Sequence, residues 1–463
     1  MLTDEEISMI LNTYMYMDYK EADDGMTINE ILSDLSTLDD YKEGGIHYGE
    51  YSVLSQAAEN PEVGELIIGN QSHLMNFDAG TNACTFSTKD GSSIYVVFRG
   101  TGDGEWPDNG MGMTQASTIQ QERALAYFET VVEREQITEA QKLVMTGHSK
   151  GANKAQYVVM STKYDNLVDV CYNVDGQGFS EMAVDGWKAE HGEEGYEERR
   201  NKIVGIFGEN DYVNVLGNSI VAEDKMHFVK TPVKVDNFAG YHDIKYMFAT
   251  LEKDPVTGEM VTVFHGRKNS YVDERGKLGS YAALLSAAMM ELPPEKRDGC
   301  AASLMQMLEL AGERKTGING EKLTLSDIGD FLGTGVPLIT NTLLFTAEGR
   351  DMLYQALSKK SFSRDVNGNI TVMVNYSGIL LQAQELLKMS ERIKKYRDEI
   401  ESVRSRLPEF MKNSWLLCHK LCKEAEALDR EIRELCKLSE MLENVAKIYM
   451  IKDNQAADEI LML

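Results

Sequence analysis

Basic residues are scarce in this sequence relative to acidic ones. Its 463 residues include 47 Lys and Arg against 74 Asp and Glu, which gives a formal net charge of −27. A surplus of negative charge of this size repels the phosphates of nucleic acids and the anionic head groups of membranes. We therefore expect no nucleic-acid partner.

Long apolar runs are also lacking. The longest candidates, residues 282–290 and 336–345, are far shorter than the roughly 20 residues that a membrane-spanning helix needs. The first ten residues, MLTDEEISMI, are acidic where a signal peptide is basic. These features predict no transmembrane segment, and a protein that is cytoplasmic or is secreted without a standard signal peptide.

Cysteine and proline are both infrequent. The six cysteines are scattered without a Cys-x-x-Cys pair, so the sequence lacks the usual spacing of a zinc or redox site. Cys418 and Cys422 are interpreted as free thiols on a helix. With 43% hydrophobic residues and only 8 Pro, the composition is typical of a packed globular protein. No metal and no cofactor are expected.

The chain between residues 92 and 212 alternates β-rich runs with helical ones, as βαβ units around a parallel sheet do. Residues 1–252 are therefore predicted to form an α/β domain with a mostly parallel sheet. Residues 253–376 are predicted to connect it to the C-terminal part through helices and a hairpin closed at Asn367–Gly368. The predicted strands are Ser93–Arg99, Lys142–Thr146, Val168–Val174 and Lys202–Phe207, and the predicted amphipathic helices are Thr118–Glu135 and Lys150–Lys163.

Beyond residue 377 the pattern changes to a heptad seam. Apolar residues from Ile393 to Tyr449 recur mostly at steps of three, four or seven. Pro408 interrupts the seam, so a kinked helix or a helical hairpin is expected. Residues 377–463 are thus predicted to form a helical arm, with residues 378–450 contacting a helical partner or a second copy of the chain.

The most informative motif is Gly147-His-Ser149-Lys150-Gly151, which follows an apolar strand and precedes a helix. A serine in Gly-x-Ser-x-Gly occupies a sharp strand-to-helix turn whose flanking residues must be small. Ser149 is therefore the predicted nucleophile. The backbone N–H of Lys150, at the start of the helix, is predicted to stabilise an oxyanion.

A second polar loop follows the strand that ends at Arg99. In hydrolases with this elbow, such a loop carries the other oxyanion donor. Thr101 is the candidate, through its backbone N–H and its hydroxyl, although a plain structural turn is the alternative reading. Arg99 is interpreted as a structural ion-pair residue.

A serine nucleophile needs a base and an acid, and in this class they follow it in the order acid, then histidine. Asp211, after the predicted strand 202–207, is the first choice for the acid. Asp175 is the main rival and Glu209 the third candidate. For the base, His242 opens a helical run after a loop, whereas His227 lies in a probable strand and His265 is further along the chain. His148 is interpreted as a packing residue below the elbow.

Three short segments resemble the class 3 lipase pattern, namely Phe98-Arg-Gly-Thr101, the elbow at residues 147–151 and Tyr241-His-Asp243. Val174-Asp-Gly-Gln-Gly-Phe179 adds a similarity to the Mbeg1-like branch of bacterial α/β-hydrolases. The resemblance covers about residues 40–250, and the chain departs from the pattern at Ala152, Lys154 and Gln177. It implies an α/β-hydrolase fold, a Ser149–His242–Asp211 triad and a lipid or other acyl ester as substrate.

Two functions of different classes follow from these features. The first is a serine ester hydrolase, a lipase, phospholipase or esterase, in which the glycine- and methionine-rich segment 105–113 forms a lid, an acyl-contact loop or an ordinary surface loop. The second is a leaderless secreted effector or an interaction protein whose helical arm binds a partner. The elbow favours the first.

Overall fold

The computed structural model describes residues 2–77, 80–102, 104–231, 239–253, 260–264, 271–311, 362–364 and 370–372, together with separate positions between 387 and 439. The contacts divide the chain into two units, residues 1–353 and 354–463. The domain boundaries predicted at residues 252 and 376 stay predictions. Asn367–Gly368, Pro408, Cys418, Cys422 and His265 lie outside the described residues.

The first unit contains an eight-stranded sheet whose central strands are parallel. The strands are β1 (Ile67–Gly69), β2 (Ala83–Ser87), β3 (Ser93–Phe98), β4 (Lys142–His148), β5 (Val170–Val174), β6 (Ile203–Gly208), β7 (Met226–Val229), β8 (Ala249–Lys253), β9 (Met260–Phe264) and β10 (Tyr271–Val272). The spatial order in the eight-stranded sheet is β1-β2-β3-β4-β5-β6-β7-β10. Parallel pairing joins β3 to β4, β4 to β5, β5 to β6 and β6 to β7, whereas β1, β2 and β10 pair antiparallel at the two edges.

Ten α-helices lie in the described residues of this unit. Several begin with a capping box, as at Thr118 and Gln121, where the hydroxyl of Thr118 accepts from the Gln121 amide. The helices are α1 (Asp4–Tyr14), α2 (Ile28–Leu35), α3 (Tyr48–Ala58), α4 (Pro61–Gly64), α5 (Trp106–Thr114), α6 (Ile119–Glu135), α7 (Lys150–Ser161), α8 (Glu181–Arg200), α9 (Lys277–Met290) and α10 (Pro294–Ala311).

The sheet is covered on both faces because side chains alternate along its strands. In β3, Ile94, Val96 and Phe98 pack into a core with α6, α7 and α8. Tyr95 and Val97 point the other way, into a second core with α1, α2 and α3. A central strand buried on both faces reads as an apolar run, which is why β3 and β4 were predictable.

This architecture confirms the α/β class and the mostly parallel sheet. Within residues 92–212 each predicted strand and helix is present to within two residues at its ends. One expectation is corrected: α7 is not simply amphipathic, since its residues from Lys150 to Met160 are buried on all sides. In the described part of the chain, every helix is too short or too polar to cross a lipid bilayer.

The second unit is described only in part. β11 (Phe362–Arg364) and β12 (Ile370–Val372) pair antiparallel, and the described positions between 387 and 439 are helical. Arg397 and Asp429 approach to 3.5 Å, and Cys436 Sγ lies 3.7 Å from Ser390 Oγ. Contacts between positions that far apart in sequence are compatible with a helical hairpin, and the arm itself stays a prediction.

Candidate active site

The strand-to-helix turn at Ser149 is the centre of the site. β4 ends at His148 and α7 begins at Lys150, so Ser149 forms the turn alone, with φ 59° and ψ −128°. Residues other than glycine rarely adopt this conformation, which costs free energy and is typical of functional sites. A Cβ on Gly147 would lie 2.1 Å from the carbonyl carbon of Gly151, and one on Gly151 would lie 2.0 Å from the Phe98 oxygen. Only glycine allows strand and helix to approach this closely.

A continuous chain of hydrogen bonds runs from this serine to a buried carboxylate. Ser149 Oγ lies 2.8 Å from His242 Nε2, and His242 Nδ1 pairs with Asp211 Oδ2. The second oxygen of Asp211 accepts from the Val213 amide at 2.6 Å and the Asn214 amide at 2.7 Å. These amides hold the carboxylate still, and the carboxylate in turn orients the imidazole.

The electrostatic surroundings of His242 favour its protonated form. Burial disfavours the imidazolium, but the charge and hydrogen bond of Asp211, followed by the charges of Asp175 and Asp243, outweigh it and raise the pKa of His242. An imidazole of raised pKa accepts a proton more readily. The arrangement can therefore take the hydroxyl proton of Ser149 and hold the resulting positive charge.

The rival acid, Asp175, is buried beside this chain of bonds but is not part of it. One of its oxygens accepts from the Gly208 amide at 2.7 Å and from Asn214 Nδ2 at 2.9 Å, and the other is buried without a hydrogen-bond partner. Burial and then the charge of Asp211 raise its pKa well above the usual range. Glu209 interacts through its backbone, with its amide bonded to Val229 and its carbonyl to Gly276.

Thr101 lies on the loop after β3, beside Ser149. Its hydroxyl accepts a hydrogen bond of 2.9 Å from Asn109 Nδ2, so its own proton is available to a further acceptor. The neighbouring Gly100 has no room for a side chain: a Cβ there would lie 3.2 Å from the Ser149 Cβ. The loop and the elbow are therefore in direct contact, as an oxyanion site at the start of α7 requires.

A cavity of about 250 Å³ opens in front of these groups. Ser149, His148 and His242 line it, together with Tyr16, Thr101 and Trp106. Ser149 and His242 thus face the same space as the loop that carries Thr101. A space of this size accommodates a small part of a substrate rather than a whole lipid.

Part of the chain matches a known protein family. Residues 58–231 match the Mbeg1-like family model. No curated protein sequence matches the chain. The Mbeg1-like segment, residues 58–231, contains Thr101, Ser149 and Asp211 and ends before His242.

Other histidines occupy structural positions. His227 lies in β7, 3.5 Å from Glu5 and edge-on to the Tyr271 ring. His148 supports the elbow, since its Nδ1 lies 2.6 Å from the Tyr16 hydroxyl and its ring lies 4.7 Å from that of His242. Burial and then the charge of His242 hold the pKa of His148 well below its usual value, so it is neutral.

Among the described residues, one group of three side chains is spaced so that it could hold a metal ion. Ligand atoms of His148, Asp175 and His242 all lie within 4.8 Å of one another. Both nitrogens of His242 are already paired, with Ser149 and with Asp211. A metal ion at this position would have to displace one of those bonds.

The segment predicted as a loop over residues 105–113 is a helix, α5, and that prediction is corrected. Most of its residues are buried, and α10 packs against it, with the Met305 Cγ atom 3.1 Å from the position of a Cβ on Gly110. Trp106, at its start, lines the cavity. The glycine- and methionine-rich composition suggested a loop. The helix that packs against this segment, α10, is distant in sequence, so the local composition could not indicate it.

Sequence reasoning missed four residues that complete the site from outside the Mbeg1-like segment. Tyr16 and Glu50 line the cavity, and Lys245 pairs with Glu50. Arg275 Nη1 donates to Asn214 Oδ1 at 2.5 Å, while Asn214 holds Asp175. None of the four belongs to a motif, and only the tertiary contacts bring them to the site.

Proposed function

We propose that this protein is a serine hydrolase that cleaves carboxylic esters, with lipid acyl esters as the substrate class. The observation that carries the proposal is the hydrogen-bonded series Ser149–His242–Asp211 at a glycine-flanked elbow facing a cavity. The match of residues 58–231 to the Mbeg1-like family model supports it, together with the resemblance of the motifs at residues 98–101, 147–151 and 241–243 to the class 3 lipase pattern.

In the proposed mechanism His242 Nε2 removes the proton of Ser149 as its Oγ attacks the ester carbonyl carbon. Asp211 orients the ring and stabilises the imidazolium that forms. The backbone N–H groups of Thr101 and Lys150 stabilise the negative oxygen of the tetrahedral intermediate. The alcohol leaves with the proton from His242, and water activated by the same imidazole then releases the acid and restores Ser149.

The position of α7 supports the oxyanion role of Lys150. The first amides of a helix have no partner within the helix and carry a partial positive charge. The Lys150 side chain points away from this function, since its ammonium is buried in an ion pair with Asp108. The backbone amide, rather than the side chain, is therefore the proposed donor.

Labelling with a fluorophosphonate probe and hydrolysis of p-nitrophenyl butyrate test the proposal together. Ser149→Ala is expected to abolish both and to leave the circular dichroism spectrum unchanged, because only one hydroxyl is removed. Ser33→Ala, at an exposed position of α2, is the matched control and should behave as wild type. Equal hydrolysis by wild type and Ser149→Ala would refute the assignment of the nucleophile.

A further inference from the structure

The cavity wall is acidic. Among the nine described residues that line it, Glu50 and Asp243 carry carboxylates and none is Lys or Arg. Glu50 comes from α3 and Asp243 directly follows His242, so the two acids reach the cavity from distant parts of the chain. Neither is in the Mbeg1-like segment.

One ammonium group is shared between these two carboxylates. Lys245 Nζ lies 2.7 Å from Glu50 Oε1 and 2.7 Å from Asp243 Oδ2. Burial disfavours its charged form, but the charges of Asp243 and Glu50 outweigh this and raise its pKa, so Lys245 stays protonated. Burial raises the pKa of Asp243, and the charge and hydrogen bond of Lys245 oppose that rise. With both carboxylates ionised, the acidic triad of Glu50, Asp243 and Lys245 carries a net charge of −1.

In the described part of the chain, the cavity wall contains no Lys or Arg side chain that cancels this charge. The side chains of the acidic triad are only 14–28% exposed, so water and salt screen them less than they would screen surface groups. Arg99 lies 3.6 Å from Asp18 and does not line the cavity. Trp106 also lines the cavity, and its aromatic ring can attract a cation.

The leaving alcohol of an ester must lie next to His242, because the imidazole Nε2 gives it a proton as it departs. Asp243 and Ile244 are the next two residues of the chain, and both line the same cavity. The alcohol portion therefore lies against the acidic triad. A fixed negative charge there repels an anionic alcohol and attracts a cationic one.

Resting on the proposed ester hydrolase function, we propose that this site selects esters of neutral or cationic alcohols and rejects esters of anionic alcohols, with Glu50 as a residue that determines this specificity. Head groups that carry a net negative charge are thereby disfavoured as leaving groups. Uncharged alcohols and quaternary ammonium alcohols are accepted.

Three acetate esters of similar size test the charge preference. They are choline acetate, its uncharged analogue 3,3-dimethylbutyl acetate, and the anionic 2-sulfoethyl acetate, with acetate release followed by titration at constant pH in 20 mM NaCl. At low salt we expect kcat/KM for the choline ester to be about threefold above that of the neutral ester, and the sulfonate to be about tenfold below it.

Glu50→Gln is expected to reduce the ratio of kcat/KM between the choline and sulfoethyl esters about fivefold, because it removes one of the two negative charges of the cavity wall. Glu133→Gln is the matched control, because it removes the same charge at a side chain 59% exposed on α6. It should leave the ratio as in wild type.

The outcomes separate this inference from the function on which it rests. Ser149-dependent hydrolysis of all three esters at similar rates would support the hydrolase and overturn the charge selection. Equal ratios in Glu50→Gln and wild type would remove Glu50 from the specificity role. Absence of hydrolysis together with absence of probe labelling would overturn both.

Discussion

Lys150 and Asp108 form an ion pair of 2.7 Å in which both side chains are fully buried. Lys150 is the first residue of α7, directly after Ser149, and Asp108 lies in the first turn of α5. A second contact, from Lys150 Nζ to the Asp108 carbonyl at 3.2 Å, reinforces the link. A buried ion pair thus links the elbow to α5, the helix that begins at Trp106.

Removing one partner of this pair should destabilise the protein strongly. Asp108→Ala leaves a buried ammonium without its counter-ion, and we expect a loss of about 3–5 kcal/mol in the free energy of unfolding. The double variant Lys150→Met with Asp108→Leu removes both charges and should recover most of that loss. Urea unfolding measures both, and a loss below about 1 kcal/mol in Asp108→Ala would contradict the prediction.

Asp211 and Asp175 are neighbouring carboxylates, and substitutions can show which of them orients His242. His242→Ala should lower kcat by a factor on the order of 10³ or more, because a serine without its base is a poor nucleophile. Asp211→Asn should lower kcat somewhat less, and Asp175→Asn far less, since Asp175 bonds to Gly208 and Asn214 instead of His242. Ester hydrolysis at saturating substrate measures the three. The reverse order for the two aspartates would transfer the acid role to Asp175.

The raised pKa of His242 sets the direction of the pH dependence. The base must be neutral to accept the serine proton, so kcat/KM should rise with pH through a midpoint above about 6.5, the ordinary value for histidine. Asp211→Asn removes the first charge that raises this pKa and should move the midpoint to lower pH. A midpoint that stays in place in this variant would show that another group titrates.

The raised pKa of His242 also makes the free energy of unfolding depend on pH. Because the folded state raises the pKa of His242, the contribution of the imidazolium is fully present below about pH 6.5 and is lost as the pH rises through the folded-state value. As the pH rises, activity therefore increases while the stabilising contribution of the His242 imidazolium decreases. Urea unfolding at several pH values measures this contribution as the difference in unfolding free energy between wild type and His242→Ala. We expect that difference to shrink as the pH rises.

Gly100→Ala should impair the oxyanion loop. A Cβ there would lie 2.1 Å from the Tyr16 hydroxyl and 2.9 Å from the His148 carbonyl oxygen, so the loop or Tyr16 must move. We expect a lower kcat and a loss of about 1–3 kcal/mol in unfolding free energy. Gly186→Ala in α8, where a Cβ meets nothing within 4 Å, is the control and should be neutral or stabilising. Unchanged kcat in Gly100→Ala would argue against a tight loop.

The predicted arm can be tested by truncation after Ser377. If residues 378–463 form a separate helical arm, as the heptad seam indicates, hydrolysis of p-nitrophenyl butyrate should persist. Light scattering and pull-down should show that dimerisation or partner binding is lost. Loss of activity with a lowered melting temperature would show instead that the arm contributes to the core of the catalytic unit.

Local sequence alone determined the elbow. Gly147, Ser149 and Gly151 are close in the chain, and the steric demand for glycine on both sides of the serine follows from a single turn. The strands around it were predictable for a similar reason, since burial on both faces of a parallel sheet requires continuous apolar runs such as residues 94–98. The order of residues along the chain then favoured Asp211 as the acid and His242 as the base. It could not show that the two lie side by side.

Tertiary structure decided what depends on distant contacts. Parallel β4, β5 and β6 place the ends of three strands at one edge of the sheet, which is why Ser149 and Asp211 meet the turn that carries His242. Packing against α10 made a helix of residues 106–114, where composition indicated a loop. Tyr16, Glu50, Lys245 and Arg275 reach the site through side-chain contacts across tens to hundreds of residues, and no local propensity or spacing encodes such contacts.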